Sequence, residues 1–180
     1  MCIRDRFYGG DRPAASLLNL RRILAEHAAR YAQIGWIDVH TGLGPRGHGE
    51  KIYAGRRDET EVARARRWWG ADIAVPYQGT SASVDITGHL AGLIYDACPA
   101  SVPTLMALEF GTLPSEDVVD ALRGRNWLRA HPDAEAAQRD AILQATLEAF
   151  YCDAPDWHGA VLGQSRVAVL QALSLSLIHI

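Results

Sequence analysis

Two short apolar runs set the frame for this chain. Residues 34–39 read Ile-Gly-Trp-Ile-Asp-Val, and residues 103–110 read Pro-Thr-Leu-Met-Ala-Leu-Glu-Phe. Both have the length and apolar character of buried strands in an α/β fold. Each also ends on a residue capable of chemistry: His40 follows the first run directly, and Glu109 lies near the close of the second. Helical patterns surround them. Ser16 caps a predicted helix that carries Leu17, Leu20, Leu24 and Tyr31 along one face. Further strands are predicted over 51–54 and 73–77, with a helix over 60–69 closed by Gly70. A polar loop spans 78–83, and Thr87 caps a helix through Leu90, Ile94 and Ala97. Three helices finish the chain, over 115–128, 133–151 and 157–173. The middle one sets Ile142, Leu143, Thr146, Leu147 and Phe150 at helical spacing. Strands alternating with helices predict an α/β sheet covered by helices, the two apolar strands running parallel and ending at one sheet edge.

The ends read differently from the middle. In one choice of codons, residues 1–6 and 175–180 are encoded by reverse-complementary strings that resemble a transposase tagging adaptor. The expectation is that both hexapeptides are foreign, and that 7–173 is the C-terminal part of one domain, truncated at its N-terminus.

Composition excludes several classes. Of three cysteines in 180 residues, Cys2 falls in the first hexapeptide. Cys98 and Cys152 are too few for a disulfide scaffold or a cysteine-based zinc module. A net charge of −3 without a basic block argues against nucleic acid or an anionic membrane as the main partner. No apolar run has the length of a membrane span.

His40 is the first candidate for chemistry. It opens the glycine-rich stretch His40-Thr41-Gly42-Leu43-Gly44-Pro45 immediately after a strand, where ligands gather in open α/β sheets. Its imidazole suits zinc, and Asp38, two residues earlier on the same strand face, suits a partner that orients the ring. A structural histidine and an ordinary strand-end acid are the alternatives. Glu109 is the second candidate, a carboxylate in an apolar strand that is costly to leave ionised and unpaired. It reads either as a general base or as half of a salt bridge to an arginine. His48, in the same turn, lines the site or is simply exposed.

Gly42 to Gly47 matches the G-x-G-x-x-G pattern, but residues 48–53 read as turn and strand. A dinucleotide site requires a helix there. Trp68 and Trp69 can hardly both face the core, so one is expected to form a partner or substrate surface, with lid-like packing over the sheet as the alternative. His89 and His131 read as structural, and Cys98 and Cys152 as packing residues. Ser81 and Ser83 lack the G-x-S-x-G elbow of a serine hydrolase.

The order of four segments carries a resemblance. They are Phe7-Tyr8-Gly9-Gly10, then Trp36-Ile37-Asp38-Val39-His40-Thr41-Gly42-Leu43-Gly44-Pro45, then Trp68-Trp69-Gly70, then Leu108-Glu109-Phe110-Gly111-Thr112. Over most of 7–173 the chain resembles the domain-of-unknown-function 2817 branch of the carboxypeptidase A-like zinc metallopeptidases. The resemblance implies an α/β/α sandwich with a mixed sheet. It implies zinc (Zn2+) held by a His-x-x-Glu pair and by a later histidine, matched by His40. It also implies a general base on zinc-activated water, matched by Glu109. Asp38, Thr41 and His48 are then residues that orient the ligand or line the substrate. No His-x-x-Glu occurs anywhere in the 180 residues, and the family's basic substrate-binding residues have no match either. Both departures fit the expected truncation, and the chain by itself is expected to be inactive.

The activity implied is hydrolysis of an amide bond in a peptide or an N-acyl amino acid. Two rivals stand beside it: a non-catalytic peptide- or sugar-binding relative, and a deacylase of the aspartoacylase type.

Overall fold

The computed structural model describes residues 12–177, with side chains described through residue 174. Residues 1–6, the Phe7-Tyr8-Gly9-Gly10 stretch and residues 178–180 lie outside the described residues. The backbone of residues 175–177 continues the last helix.

The fold is mixed α/β. Strands β1 (Gln33–Arg46), β2 (Gly49–Tyr53) and β3 (Val102–Gly111) form one sheet in the order β1-β3-β2. β3 runs parallel to β1 and antiparallel to β2. The order of helices is α1 (Ala15–Ile23, continued by a wider π-helical turn over Leu24–Ala28), α2 (Glu59–Trp69), α3 (Leu93–Ala97), α4 (Ser115–Ala130), α5 (Ala136–Phe150) and α6 (Pro155–Leu177).

Alternation along β3 divides the core in two. Met106, Leu108 and Phe110 face α2 and α6, packing with Val62, Ala65, Trp69, Trp157 and Ala168. Leu105 faces the other way, against Leu24 of the π-helical turn and Leu93 and Ile94 of α3, with Ile34 and Trp36 of β1 beside it. α2 is fixed at its start by Asp58, whose carboxylate accepts from Thr60 N at 2.7 Å and Glu61 N at 3.0 Å. These N–H groups would otherwise lack partners. α4 and α5 form a separate pair packed through Val118, Ala121 and Ala149.

Several expectations are corrected in detail. β1 occupies an edge of the described sheet, and Val39 is 49% exposed where a doubly covered strand was expected. The strand continues past His40 to Arg46 instead of ending in a turn. Residues 73–77 contribute only an isolated bridge between Ala74 and Ile52. Pro76, which has no N–H to offer a ladder, leads into a 3₁₀ turn at Pro76–Gln78. The helix expected from Thr87 shrinks to Leu93–Ala97 behind a 3₁₀ turn at Leu90–Gly92. Left-handed Gly88 (φ 76°) precludes a helix that starts at Thr87 and runs through it. α1 begins at Ala15, with no side-chain cap.

Both tryptophans of the pair pack inward. Trp69 is fully buried and donates its indole N–H to Ala168 O at 3.1 Å. Trp68 lies across Gly35, where an added Cβ would stand 2.8 Å from its ring. Gly35 thus makes room for the second ring, which lies partly buried over the sheet as the alternative to a surface role has it.

Candidate functional site

The register of β3 with its two neighbours builds the site. His40 of β1 and Glu50 of β2 both pair with Glu109. Side chains of paired residues leave the same face of a sheet, so His40, Glu109 and Glu50 form a single row. Asp38 and Ala107 pair one step back on that face. α1 and α3 pack onto the same face at Ile34, Trp36 and Leu105, nearer the start of the strands. The row stands beyond that cover, toward the C-terminal ends of β1 and β3.

His40 is half exposed, and its Nε2 lies 3.0 Å from Asp38 Oδ2. The i, i+2 spacing on a strand brings the two together. An acceptor at Nε2 favours the proton on that nitrogen and leaves Nδ1 as the ring's lone-pair donor.

Glu109 is buried, with 8% of its surface exposed. Its Oε1 accepts from Leu43 N at 3.1 Å. Burial pushes its carboxyl above the usual range, and nearby Glu50 and Asp38 push the same way; the Leu43 N–H and His40 oppose them. The result is a carboxylate with raised proton affinity that still has a hydrogen-bond donor to hold it when ionised. No arginine pairs with it among the described residues.

The glycine-rich stretch explains that donor. Pairing between β1 and β3 jumps from Thr41–Phe110 to Arg46–Gly111, so residues 42–45 bulge out of the ladder. Gly42 (φ 129°) and Gly44 (φ 92°) lie in the region that only glycine enters freely. Together they turn the intervening Leu43 N–H onto the carboxylate. β2 follows the bulge, and no helix opens there as a dinucleotide site would need.

Segment 109–112 meets the bulge from the other side. Gly111 lies so close beneath it that a Cβ would stand 2.1 Å from Gly44 O and 2.2 Å from Pro45 O. Gly111 O accepts from Gly47 N and from the Trp157 indole, both at 3.0 Å. Thr112 Oγ1 donates to Ala149 O at 2.6 Å.

Two expected lining residues fall elsewhere. Thr41 alternates to the opposite face, where its hydroxyl donates to Phe150 O at 2.7 Å. His48 lies in the turn before β2, its backbone joined to Pro45 and Gly111 and its side chain exposed. It makes no side-chain contact with the row among the described residues.

Glu50 is the residue the sequence reading passed over. Both its oxygens accept from Ala82 N, at 3.0 and 3.2 Å. The clue was Glu50 itself, one position before the predicted 51–54 strand, but only the antiparallel register reveals its neighbour. Among the described residues, no group of three or more His, Cys, Asp or Glu comes together to hold a metal ion. No helix of the described residues is long and apolar enough to cross a membrane.

Residues 4–164 match the family described as Protein of unknown function (DUF2817). The chain belongs to the DUF2817 family. The match spans the row, the bulge and the segment through Thr112 as one unit. No curated protein and no solved structure matches the chain.

Proposed function

We propose that this DUF2817 chain carries the general base and one zinc ligand of a zinc-dependent, carboxypeptidase-like hydrolase of amide bonds, built on an α/β/α sandwich. The observation that supports the reading is the pairing of His40 with Glu109 on adjacent parallel strands, about 4.8 Å apart. An imidazole oriented by a carboxylate thus stands beside a buried carboxylate of raised proton affinity.

The fit to zinc is partial. His40 suits a ligand, because Asp38 at Nε2 leaves Nδ1 to donate, the arrangement in which outer carboxylates orient zinc-bound histidines. A catalytic zinc takes three protein ligands, and the described residues near His40 do not complete that set. A catalytic zinc beside His40 would need two more ligands from other residues. Zinc, when bound, supplies a Lewis acid that polarises the carbonyl and activates water.

Glu109 takes the proton from the attacking water and delivers it to the leaving amine. Its raised proton affinity suits both halves of that transfer, and the Leu43 N–H holds the carboxylate in position between them. Substrates of the proposed kind are peptides and N-acyl amino acids.

The test pairs zinc content with turnover in protein expressed from the source gene, on peptides and N-acyl amino acids. Glu109→Gln should lose about 10²–10⁴-fold in rate and keep its zinc. His40→Ala should lose metal and activity together. Near-normal turnover in Glu109→Gln, or zinc loss matching His40→Ala, would refute the assignment of the base. A metal-free wild type that binds peptide without cleaving it would favour a binding relative.

A further inference from the structure

Residues 79–88 form a strap between two left-handed glycines, Gly79 (φ 72°) and Gly88 (φ 76°), neither with any atom within 4 Å of where a Cβ would stand. No residue of the strap belongs to a core cluster. Val84 and Ile86 are 74% and 57% exposed. Apolar burial therefore does little to hold the strap in place. Polar tethers take that role: Thr80 Oγ1 to the backbone of Val75, Ala82 N to Glu50, and Asp85 to Arg57. One of these tethers starts from the row itself, since Glu50 pairs with Glu109 on β2 and presents its carboxylate on the same face.

We infer that Glu50 is a positioning residue, which pins the strap beside Glu109 so that the strap forms one wall of the substrate site. This rests on the proposed amide-hydrolase reading for its catalytic consequence, but not for the tether. Glu50 touches the Ala82 amide through both oxygens, so its side chain is committed to the strap. The wall it fixes carries two exposed aliphatic side chains, Val84 and Ile86, within four residues of the tether. Substrates with an apolar group near the scissile amide match such a wall better than charged ones.

The test, in protein expressed from the source gene, uses hydrogen exchange first and kinetics second. In Glu50→Ala the Ala82 amide loses its acceptor, and its exchange should rise by about ten- to a hundredfold. Glu50→Gln keeps a carbonyl oxygen to accept that N–H and should restore most of the protection. Arg57→Ala cuts a second tether without touching the row and should loosen residues 83–87. On an apolar amide substrate, Glu50→Ala should raise KM by about tenfold with kcat little changed, and Glu50→Gln should rescue KM. Unchanged Ala82 exchange in Glu50→Ala would overturn the tether. A fall in kcat without a change in KM, or a Glu50→Gln variant as impaired as Glu50→Ala, would overturn the positioning role in favour of a direct electrostatic one. Faster exchange in protein that cleaves no amide would leave the tether standing and count against the hydrolase reading alone.

Discussion

Replacing Gly111 with alanine tests the geometry on which the candidate site depends. The added Cβ would stand 2.1 Å from Gly44 O, 2.2 Å from Pro45 O and 2.4 Å from the Pro45 carbonyl carbon. Non-bonded carbon–oxygen contacts settle at roughly 3.3 Å or more, so the bulge must recede by about 1 Å. All three atoms are backbone, and no side-chain rotation relieves the overlap. Overpacking of this kind costs about 1–3 kcal/mol. The hydrogen bond from Gly47 N to Gly111 O adds about 1 kcal/mol when it is lost. The expected destabilisation is about 2–4 kcal/mol, or a fall in Tm of roughly 5–15 °C for a domain of this size. The same recession draws the Leu43 N–H away from Glu109. Gly159→Ala is the control, because nothing lies within 4 Å of its Cβ position on α6 and a helical Gly-to-Ala change gains about 0.5–1 kcal/mol. Thermal and urea unfolding of both variants measures the difference. A Gly111→Ala protein melting within 1–2 °C of wild type would refute the close approach of bulge to strand, and with it the Leu43–Glu109 contact.

Three further outcomes follow from the same structure. Thr112→Val removes a buried hydroxyl donor and strands the Ala149 carbonyl, so unfolding should show a loss of about 1–3 kcal/mol. Asp156, gripped by both terminal guanidinium nitrogens of Arg46, has its carboxyl pulled down to about 2; NMR titration should read that value and find it moved back up in Arg46→Gln. Glu109 has a raised folded-state pKa, so the stability it contributes is full at low pH and falls as pH rises through that raised value. Glutamine lacks this loss, so melting curves should show Glu109→Gln gaining on wild type as pH increases, and a constant difference between pH 4 and pH 8 would contradict the burial of an ionising group there.

The parts of the fold that follow from local pattern were legible in the sequence. The apolar runs around Trp36 and Leu105 announced β1 and β3, and the helices after Ser115 announced themselves by length and spacing. Placing His40 and Glu109 on parallel strands that end together needed only that pattern. Non-local geometry was not legible. Nothing in residues 42–45 by themselves says that they bulge, because the bulge is defined by the Gly111 strand, more than sixty residues away. Glu50 was missed for the same reason, since its importance comes from standing across from Glu109. Thr41 was misjudged because alternation past His40 turns it to the opposite face, where Phe150 O takes its hydroxyl. Which of Trp68 and Trp69 would pack over the sheet was not legible, because the space beside Gly35 that receives the Trp68 ring cannot be seen in one dimension.

β1 has β3 on one side and, among the described residues, no strand on the other. Its outer rim presents backbone donors and acceptors along the stretch that includes His40. A strand laid against that rim would extend the sheet, with its backbone about 4.8 Å from β1. Whichever of its residues came level with His40 would join the line already formed by His40, Glu109 and Glu50, on the same face and on the imidazole's free side. Among the described residues, that open margin is thus also an address. It marks the side of β1, within the plane of the described sheet, from which a new side chain can approach His40 without displacing Glu109.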